Sequence, residues 1–389
     1  MGNILKNIKG DKVIWTVVFL LTIISFLAVY SSTGTLAWKF KGGNTEYYML
    51  KHAVILFLGL LLMYFAHMVK YTYYSRIFQI ALYVAVPLLF ITLIFGLNLN
   101  EAKRVLPLPF NLSFQTSDLA KITLIIYLAR VLTKKQDQIK DFKGAFVPLM
   151  LPVLLVCGLI FPANFSTAAI LFTTSMVLIF IGRVKLTYFL GMIGVGIVVL
   201  GIGLSILYFM PAEKQGRFGT WKNRITNFVD GGESSDNYQI EQSKIAIASG
   251  YPFGKGPGNS TQRNFLPHPY SDFIFAIILE EYGFIGGLIL VLLYLILFYR
   301  AIRIVSKAPG TFGSFLTIGV SFSLVFQAMI NMGVAVNILP VTGQPLPLVS
   351  MGGTSIWFTS LAIGIILSVS KDLENEEELS PVLTDEDDE

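Results

Sequence analysis

Three carboxylates lie close together at the start of a long apolar segment. Asp272 follows the polar, proline-bearing stretch 266–270, and Glu280 and Glu281 lie among the apolar residues that come next. A carboxylate near lipid is costly, and such residues usually have a function. At about 100° per residue, Glu280 lies roughly 80° around a helix from Asp272, and Glu281 lies on the opposite face. This spacing favours Asp272 acting alone as a general base over a hydrolase with paired carboxylates. A helix N-cap is the structural alternative for Asp272.

Basic residues form a second group, before and within another apolar segment. Lys103 and Arg104 precede it, and Lys121 lies near its start. Clustered cations at a membrane surface suit a phosphate or pyrophosphate, which arginine binds in bidentate fashion. In the structural alternative, Lys121 extends to the membrane interface and Asp118 caps the helix.

Two loop regions carry further polar residues. Tyr238 and Gln242 have the spacing of neighbours on one helix face. The glycines of 254–258 do not have the spacing of a nucleotide-binding P-loop.

Residues 337–353 are rich in proline and glycine, which predicts irregular backbone against protein or a polar cavity. Gln327 and Asn331, one helical turn apart, are interpreted as interhelical contacts.

The composition indicates what kind of scaffold positions these residues. Of the 389 residues, 54% are hydrophobic and only 14% are charged, whereas soluble domains carry about 25% charged residues. Segments of about 20 apolar residues predict an all-α integral membrane protein with about ten transmembrane helices and a large extracytoplasmic loop, 210–270, between spans seven and eight. The predicted spans lie near 13–31, 50–69, 76–97, 117–133, 144–161, 165–182, 186–209, 271–303, 312–336 and 352–370.

The eighth predicted span is too long for one crossing. A helix of residues 271–303 would measure about 50 Å against a hydrocarbon core of about 30 Å. Residues 284–303 suffice to span, so we expect 272–282 to lie at or above the interface. Basic residues of the short connections concentrate on the side of the N-terminus, which predicts cytoplasmic termini and places Asp272 outside.

Several classes of site are excluded or unsupported. The single cysteine, Cys157, excludes an internal disulfide and a thiolate cluster, and His52, His67 and His268 lack the spacing of zinc ligands. No nucleic-acid signature is present. We expect one polytopic membrane domain, 1–372, followed by a disordered acidic cytoplasmic tail, 373–389.

Several motifs occur in a fixed order along the chain. They are Ala-Lys-Arg at 102–104, Phe-Gln-Thr-Ser at 114–117, Tyr-Gln at 238–239, Gln-Ser at 242–243, Gly-Lys-Gly at 254–256, Ser-Asp-Phe-Ile-Phe-Ala at 271–276, Glu-Glu-Tyr-Gly at 280–283, Leu-Pro-Val-Thr-Gly at 339–343 and Leu-Pro-Leu-Val-Ser-Met-Gly-Gly at 346–353. Together they resemble the SEDS family of bacterial shape, elongation, division and sporulation proteins, which includes FtsW, RodA and SpoVE. Departures from the family pattern are Val105 where tryptophan is usual, Asp118 for glutamate and Asn164 for a carboxylate.

The resemblance implies an inverting glycosyltransferase of the bacterial cytoplasmic (inner) membrane that polymerises lipid II into peptidoglycan strands, with Asp272 as the essential aspartate. It implies a class B penicillin-binding protein and other divisome or elongasome membrane proteins as partners, and favours a division-type over a RodA-like elongation member. A lipid II flippase is the rival hypothesis, and a non-catalytic scaffold is a third. No cofactor is implied with certainty, although Mg²⁺ or Mn²⁺ could share in stabilising the negative charge of the pyrophosphate leaving group. The candidate substrate-binding residues are Arg104, Lys121, Gln115, Ser117, Lys103, Arg224, Tyr238, Gln242, Glu280, Ser350, Gly352 and Gly353.

Overall fold

The chain folds mainly into long apolar helices. The computed structural model describes residues 9–99, 102–108, 112–192, 194, 235–308 and 310–385. In chain order the helices are α1 (Lys12–Ser32), α2 (Gly34–Lys41), α3 (Thr45–Met68), α4 (Tyr71–Phe95), α5 (Thr116–Lys134), α6 (Val147–Ile160, after a π-helical turn Phe142–Phe146), α7 (Phe165–Ile181), α8 (Ser235–Gly250), α9 (Ile274–Lys307), α10 (Thr311–Ala335) and α11 (Gly353–Asp385).

Helix lengths and exposed side chains confirm a multi-pass membrane protein. In the described part of the chain, seven helices are long and apolar enough to cross a bilayer, and α7 is a shorter apolar helix of 17 residues. Phe19, Phe57 and Ile80 are about two-thirds exposed on the bundle surface, which suits contact with lipid. The end of the bundle that carries Asp272 is called the outer face below, and the opposite end the inner face.

Helix α5 coincides with the fourth predicted span, although it carries four charged residues, Asp118, Lys121, Arg130 and Lys134. It packs against α4, α6, α7, α10 and α11, and Leu124, Ile126 and Leu128 are fully buried. A helix enclosed by others can hold charged side chains inside a membrane bundle if they find partners there.

Helix α9 breaks where the length of the eighth predicted span requires it. Gly283 has φ 67° and ψ −165°, which divides the 34-residue helix into an outer part before it and a spanning part after it. A side chain at Gly283 would overlap the carbonyl oxygen of Pro252. Only glycine fits this combination of positive φ and close approach.

The all-helical prediction misses a small antiparallel sheet on the outer face. Strands β1 (Leu97–Leu99), β2 (Ala102–Leu108) and β3 (Leu112–Gln115) pair in chain order, with Val105 opposite Gln115. Strands as short as β1 and β3 give little periodic signal, so the sequence did not predict this sheet.

Two predictions concern the ends of these elements. Of the seventh predicted span, residues 186–192 are helical and most of the rest lies outside the described residues. Helix α11 continues to Asp385, so the tail predicted to be disordered from residue 373 starts as helix. Glu374 and Asn375 accept hydrogen bonds from Gly10 N (2.6 Å) and Lys9 Nζ (2.8 Å), and these contacts tie the beginning of the tail to the N-terminal segment.

Candidate active site

Asp272 lies in a turn just before α9. The helix begins at Ile274 and its N-cap position falls on Phe273, which makes no side-chain capping bond. The Asp272 side chain is half-buried. The capping alternative thus does not describe its position, and the carboxylate belongs to a non-helical segment on the outer face.

The backbone of this turn is held by the proline- and glycine-rich segment 337–352. Asn331 Nδ2 donates to the carbonyl oxygens of Asp272 (2.8 Å) and Gln344 (2.7 Å). Ser350 Oγ donates to Ser271 O (2.5 Å), and Met351 N donates to Tyr270 O (2.9 Å). The two loops are therefore connected at Asp272 and at the two residues before it.

The carboxylate has two close neighbours in these loops. A Cβ atom placed on Gly343, which has φ 63°, would lie 3.6 Å from Asp272 Oδ2, so the glycine backbone passes beside the carboxylate. Burial raises the pKa of the Tyr270 phenol, and the negative charge of Asp272 raises it further. The phenol therefore stays protonated near Asp272 at neutral pH.

Two of the three cations of the basic cluster stay together in the structure. Lys103 and Arg104 line one small cavity of about 20 Å³ with Gln115 and Ser117, whereas Lys121 lies elsewhere. The charged groups of the pair make different contacts: Lys103 Nζ contacts Ile94 O, and Arg104 Nε donates to Ala163 O (2.9 Å). Phosphate binding by this pair stays a prediction.

Lys121 belongs to an internal polar chain. Its ammonium lies 2.8 Å from Asp118 Oδ1, with only 13% of the Lys121 side chain exposed, and it donates to Gln327 Oε1 (3.2 Å). Gln115 Nε2 donates to Ser117 Oγ (3.1 Å) and Asp118 Oδ1 (3.3 Å). Through Gln327 Nε2, which donates to Pro345 O (2.9 Å), this chain reaches the loop that holds Asp272.

Arg104 lines a cavity of about 190 Å³ between α7, α10 and residues 340–342. Its walls combine apolar side chains, among them Phe165, Phe326 and Ile330, with polar groups of Asn164 and Thr342. Asn164 also caps α7, accepting from Thr167 N at 3.2 Å. Because Thr342 precedes Gly343, the cavity borders the loop beside Asp272, and it offers one cation and an apolar wall.

Glu280 and Glu281 lie apart from this cavity. Glu280 is fully buried, and its oxygens accept from Lys255 Nζ (2.6 Å), Ser260 Oγ (2.5 Å) and Thr261 Oγ1 (2.8 Å). Glu281 accepts from Ser31 Oγ and Ser260 N. These contacts indicate that Glu280 anchors a loop, which differs from the substrate-binding role considered from the sequence.

The glycine-rich turn 250–258 bridges the break in α9. Lys255 N and Gly256 N donate to the carbonyl oxygens of Glu280 and Glu281, both at 2.9 Å, and Phe284 N donates to Pro252 O (3.0 Å). Its glycines thus serve close backbone packing, consistent with the exclusion of a P-loop.

The other candidates take varied positions. Helix α8 crosses the outer face: Ile240 packs with Phe273 and Ile277, while Tyr238 is 43% exposed and Gln242 half-buried. Ser350 is buried and bonded to backbone, Gly353 is the first residue of α11, and Gly352 precedes it. Arg224 lies outside the described residues. In the described part of the chain, no three His, Cys, Asp or Glu side chains form a metal-binding group.

The sequence interpretation of Gln327 as an interhelical contact is confirmed by its bond with Lys121 of α5, but the sequence did not reveal that Asn331 and Gln344 support the Asp272 turn. Gln344 Nε2 donates to Thr167 Oγ1 (2.9 Å) and joins the loop to α7. The signal available was a pair of amides one turn apart in an apolar helix; their partners, distant in sequence, could not be read from it.

The fold and site together define a multi-pass membrane protein with a carboxylate-bearing site built by the loops of its outer face. The family model for FtsW, RodA and SpoVE, described as cell cycle proteins, matches residues 11–375, and the chain belongs to this family.

Two relatives cover nearly the whole chain. Stage V sporulation protein E of Bacillus subtilis (strain 168) is 32% identical over 381 residues, covering 94% of this chain and 98% of the relative. A probable peptidoglycan glycosyltransferase FtsW of Geobacter sp. (strain M18) is 31% identical over 375 residues, with the same coverages.

Solved structures share the fold. A chain from a peptidoglycan synthase complex, studied for the coordination of polymerisation and crosslinking, matches with a TM-score of 0.74 at 24% identity, covering 94% of this chain and 98% of that chain. The rod shape determining protein RodA of Thermus thermophilus matches with a TM-score of 0.64 at 22% identity, covering 93% and 97%.

Proposed function

We propose that this protein is a peptidoglycan glycosyltransferase that polymerises lipid II on the outer face of the cytoplasmic membrane, with Asp272 as general base. The observation that carries the proposal is the position of Asp272, in a fixed non-helical turn whose supporting loop also borders the Arg104 cavity. Family membership and the names of the relatives support the same reaction class.

In the proposed reaction Asp272 activates the acceptor sugar. Its carboxylate takes the proton from the 4-hydroxyl group as that oxygen forms a bond to C1 of the donor sugar. The bond from C1 to the phosphate oxygen breaks, and undecaprenyl pyrophosphate leaves with the electron pair. Attack from the side opposite the leaving group inverts the configuration at C1. Positioned general bases contribute typically 10²–10⁴-fold to rate.

The leaving group needs positive charge, since charge develops on its bridging oxygen. Arg104 is the favoured source, because it lines a cavity whose apolar walls suit the start of a polyprenyl chain. Lys121 acts indirectly in this scheme, through its contacts with Asp118 and Gln327. Lys103 and Arg224 remain weaker candidates, and Mg²⁺ or Mn²⁺ could share the task when bound to the pyrophosphate.

The cellular setting is part of the proposal. The distribution of basic residues supports cytoplasmic termini and an extracytoplasmic site. We propose one polytopic domain over 1–372, with a class B penicillin-binding protein as the crosslinking partner. General resemblance to FtsW-type relatives favours septal synthesis over elongation.

The test uses the purified full chain with its penicillin-binding partner and labelled lipid II. We expect Asp272→Asn to lower the polymerisation rate at least about 100-fold, whereas Asp137→Asn, an exposed carboxylate on the inner face, leaves it unchanged. Wild-type rates from Asp272→Asn would refute the base assignment. Lipid translocation across liposomes without polymerisation would favour the flippase.

A further inference from the structure

The inner face carries a cleft that takes no part in the proposed reaction. It has a volume of about 300 Å³ and lies between the start of α1, the end of α9 and residues 370–374 of α11. Its charged lining consists of Asp11, Lys12, Arg300, Arg303, Lys307 and Glu374.

Both carboxylates of the cleft are engaged in holding its walls together. Asp11 caps α1, accepting from Val13 N (2.9 Å) and Ile14 N (3.1 Å), and its Oδ2 lies 2.5 Å from Arg300 Nη2. Glu374 accepts from Gly10 N at 2.6 Å. Charged contacts therefore hold three chain segments together around the cleft.

The remaining charge of the cleft is positive. Four cationic and two anionic side chains line it, for a formal net charge of +2, and Lys12 and Arg303 are exposed. Apolar side chains next to these cations also face outward: Val13 is 38% exposed, Tyr299 57% and Ile302 43%. In a membrane-spanning bundle this combination marks the level where lipid chains meet headgroups.

We propose that this cleft binds the phosphate headgroup of an anionic phospholipid, such as phosphatidylglycerol, in the leaflet at the inner face. Basic pockets between transmembrane helices are suited to acidic headgroups, and Lys12 and Arg303 present exposed positive charge to a phosphate there. The apolar neighbours favour a lipid over free phosphate, because acyl chains can lie along Tyr299 and Ile302. The bound lipid would join α1, α9 and α11 beyond their direct contacts.

The test measures thermal unfolding of the purified full chain in a neutral detergent while lipid is added. Phosphatidylglycerol is compared with phosphatidylcholine and with inorganic phosphate. The test variant is Lys12→Gln with Arg303→Gln. The matched control, Lys140→Gln with Lys143→Gln, removes the same charge from exposed inner-face residues outside the cleft. A second variant, Lys12→Arg with Arg303→Lys, preserves the charge.

We expect phosphatidylglycerol to raise the unfolding temperature of wild type in a saturable way, while phosphatidylcholine and phosphate do not. The apparent dissociation constant should rise about tenfold or more in the Gln pair, and change less than about twofold in the control and the charge-preserving pair. Equal loss in test and control variants would overturn the proposal, as would equal stabilisation by phosphatidylcholine or phosphate. If the Gln pair unfolds without lipid at a lower temperature, the charge-preserving pair decides: loss of its lipid response counts against a charge-based site.

Discussion

The side-chain amide of Asn331 donates a 2.8 Å hydrogen bond to the backbone carbonyl oxygen of Asp272. Because the same nitrogen also donates to Gln344 O, one buried residue of α10 connects the candidate catalytic turn to the loop beside it. This contact fixes the backbone position from which the Asp272 side chain extends.

Removing this amide should impair catalysis more than binding. Asn331→Ala leaves two buried carbonyl oxygens without their donor, at a cost of about 1–3 kcal/mol each, so the turn should relax. We expect the polymerisation rate at saturating lipid II to fall about tenfold or more, with KM changed less than threefold. Steady-state kinetics would show this. Asn259→Ala, on an exposed loop, is the control, and a pure KM effect would argue for substrate contact instead.

Arg104 and Lys103 should differ although they are neighbours in sequence. Both residues line the smaller cavity beside Gln115, but only Arg104 also lines the 190 Å³ cavity, and Lys103 Nζ contacts Ile94 O. We expect Arg104→Ala to weaken lipid II use, measured as kcat/KM, about tenfold or more, because a desolvated cation near a pyrophosphate is lost. Lys103→Ala should have a much smaller effect. Equal effects would restore the paired clamp suggested by the sequence.

Glu280 should matter for stability and leave substrate affinity intact. Glu280→Gln keeps the shape but weakens the charge-assisted bonds from Lys255 and the Ser260–Thr261 hydroxyls, so unfolding should become easier by about 1–3 kcal/mol. Limited proteolysis of residues 255–262 would report the loosened loop. A variant of normal stability with a raised KM for lipid II would instead support the substrate-binding role.

Two glycine-to-alanine substitutions should change the stability of the protein in opposite directions. Gly283→Ala forces a side chain into positive φ and against Pro252 O, and we expect a fall in Tm together with loss of activity. Gly158 lies in α6, where an added Cβ meets nothing within 4 Å, so Gly158→Ala should stabilise by about 0.5–1 kcal/mol. Thermal unfolding in detergent distinguishes the two.

Much of the membrane architecture follows from apolar segment length. The break at Gly283 was predictable because 33 residues exceed a bilayer, and the irregular backbone of 337–352 followed from its prolines and glycines. The three strands were missed, since Leu97–Leu99 and Leu112–Gln115 are too short to show alternation.

The site was predictable only in part. Asp272 was singled out by charge at a membrane edge, which is visible in sequence. By contrast, the different backbone contacts of Lys103 and Arg104 depend on a strand, and one of the contacts of Lys121 is with Gln327, 206 residues away. Glu280 was considered a substrate-binding residue because the sequence did not show its structural partners. These partners lie in a loop of ordinary polar composition, 255–261.

The interruption at Gly283 also separates the part of α9 that spans the bilayer from the part that follows the Asp272 turn. No continuous helical ladder runs from the bilayer to the outer part of α9, and that outer part is fastened by the 250–258 turn and by α8. Changes in bilayer thickness alter the tilt of spanning helices. We expect tilting of residues 284–307 to bend the chain at the glycine before it displaces Asp272, because the turn and α8 hold the outer part in place.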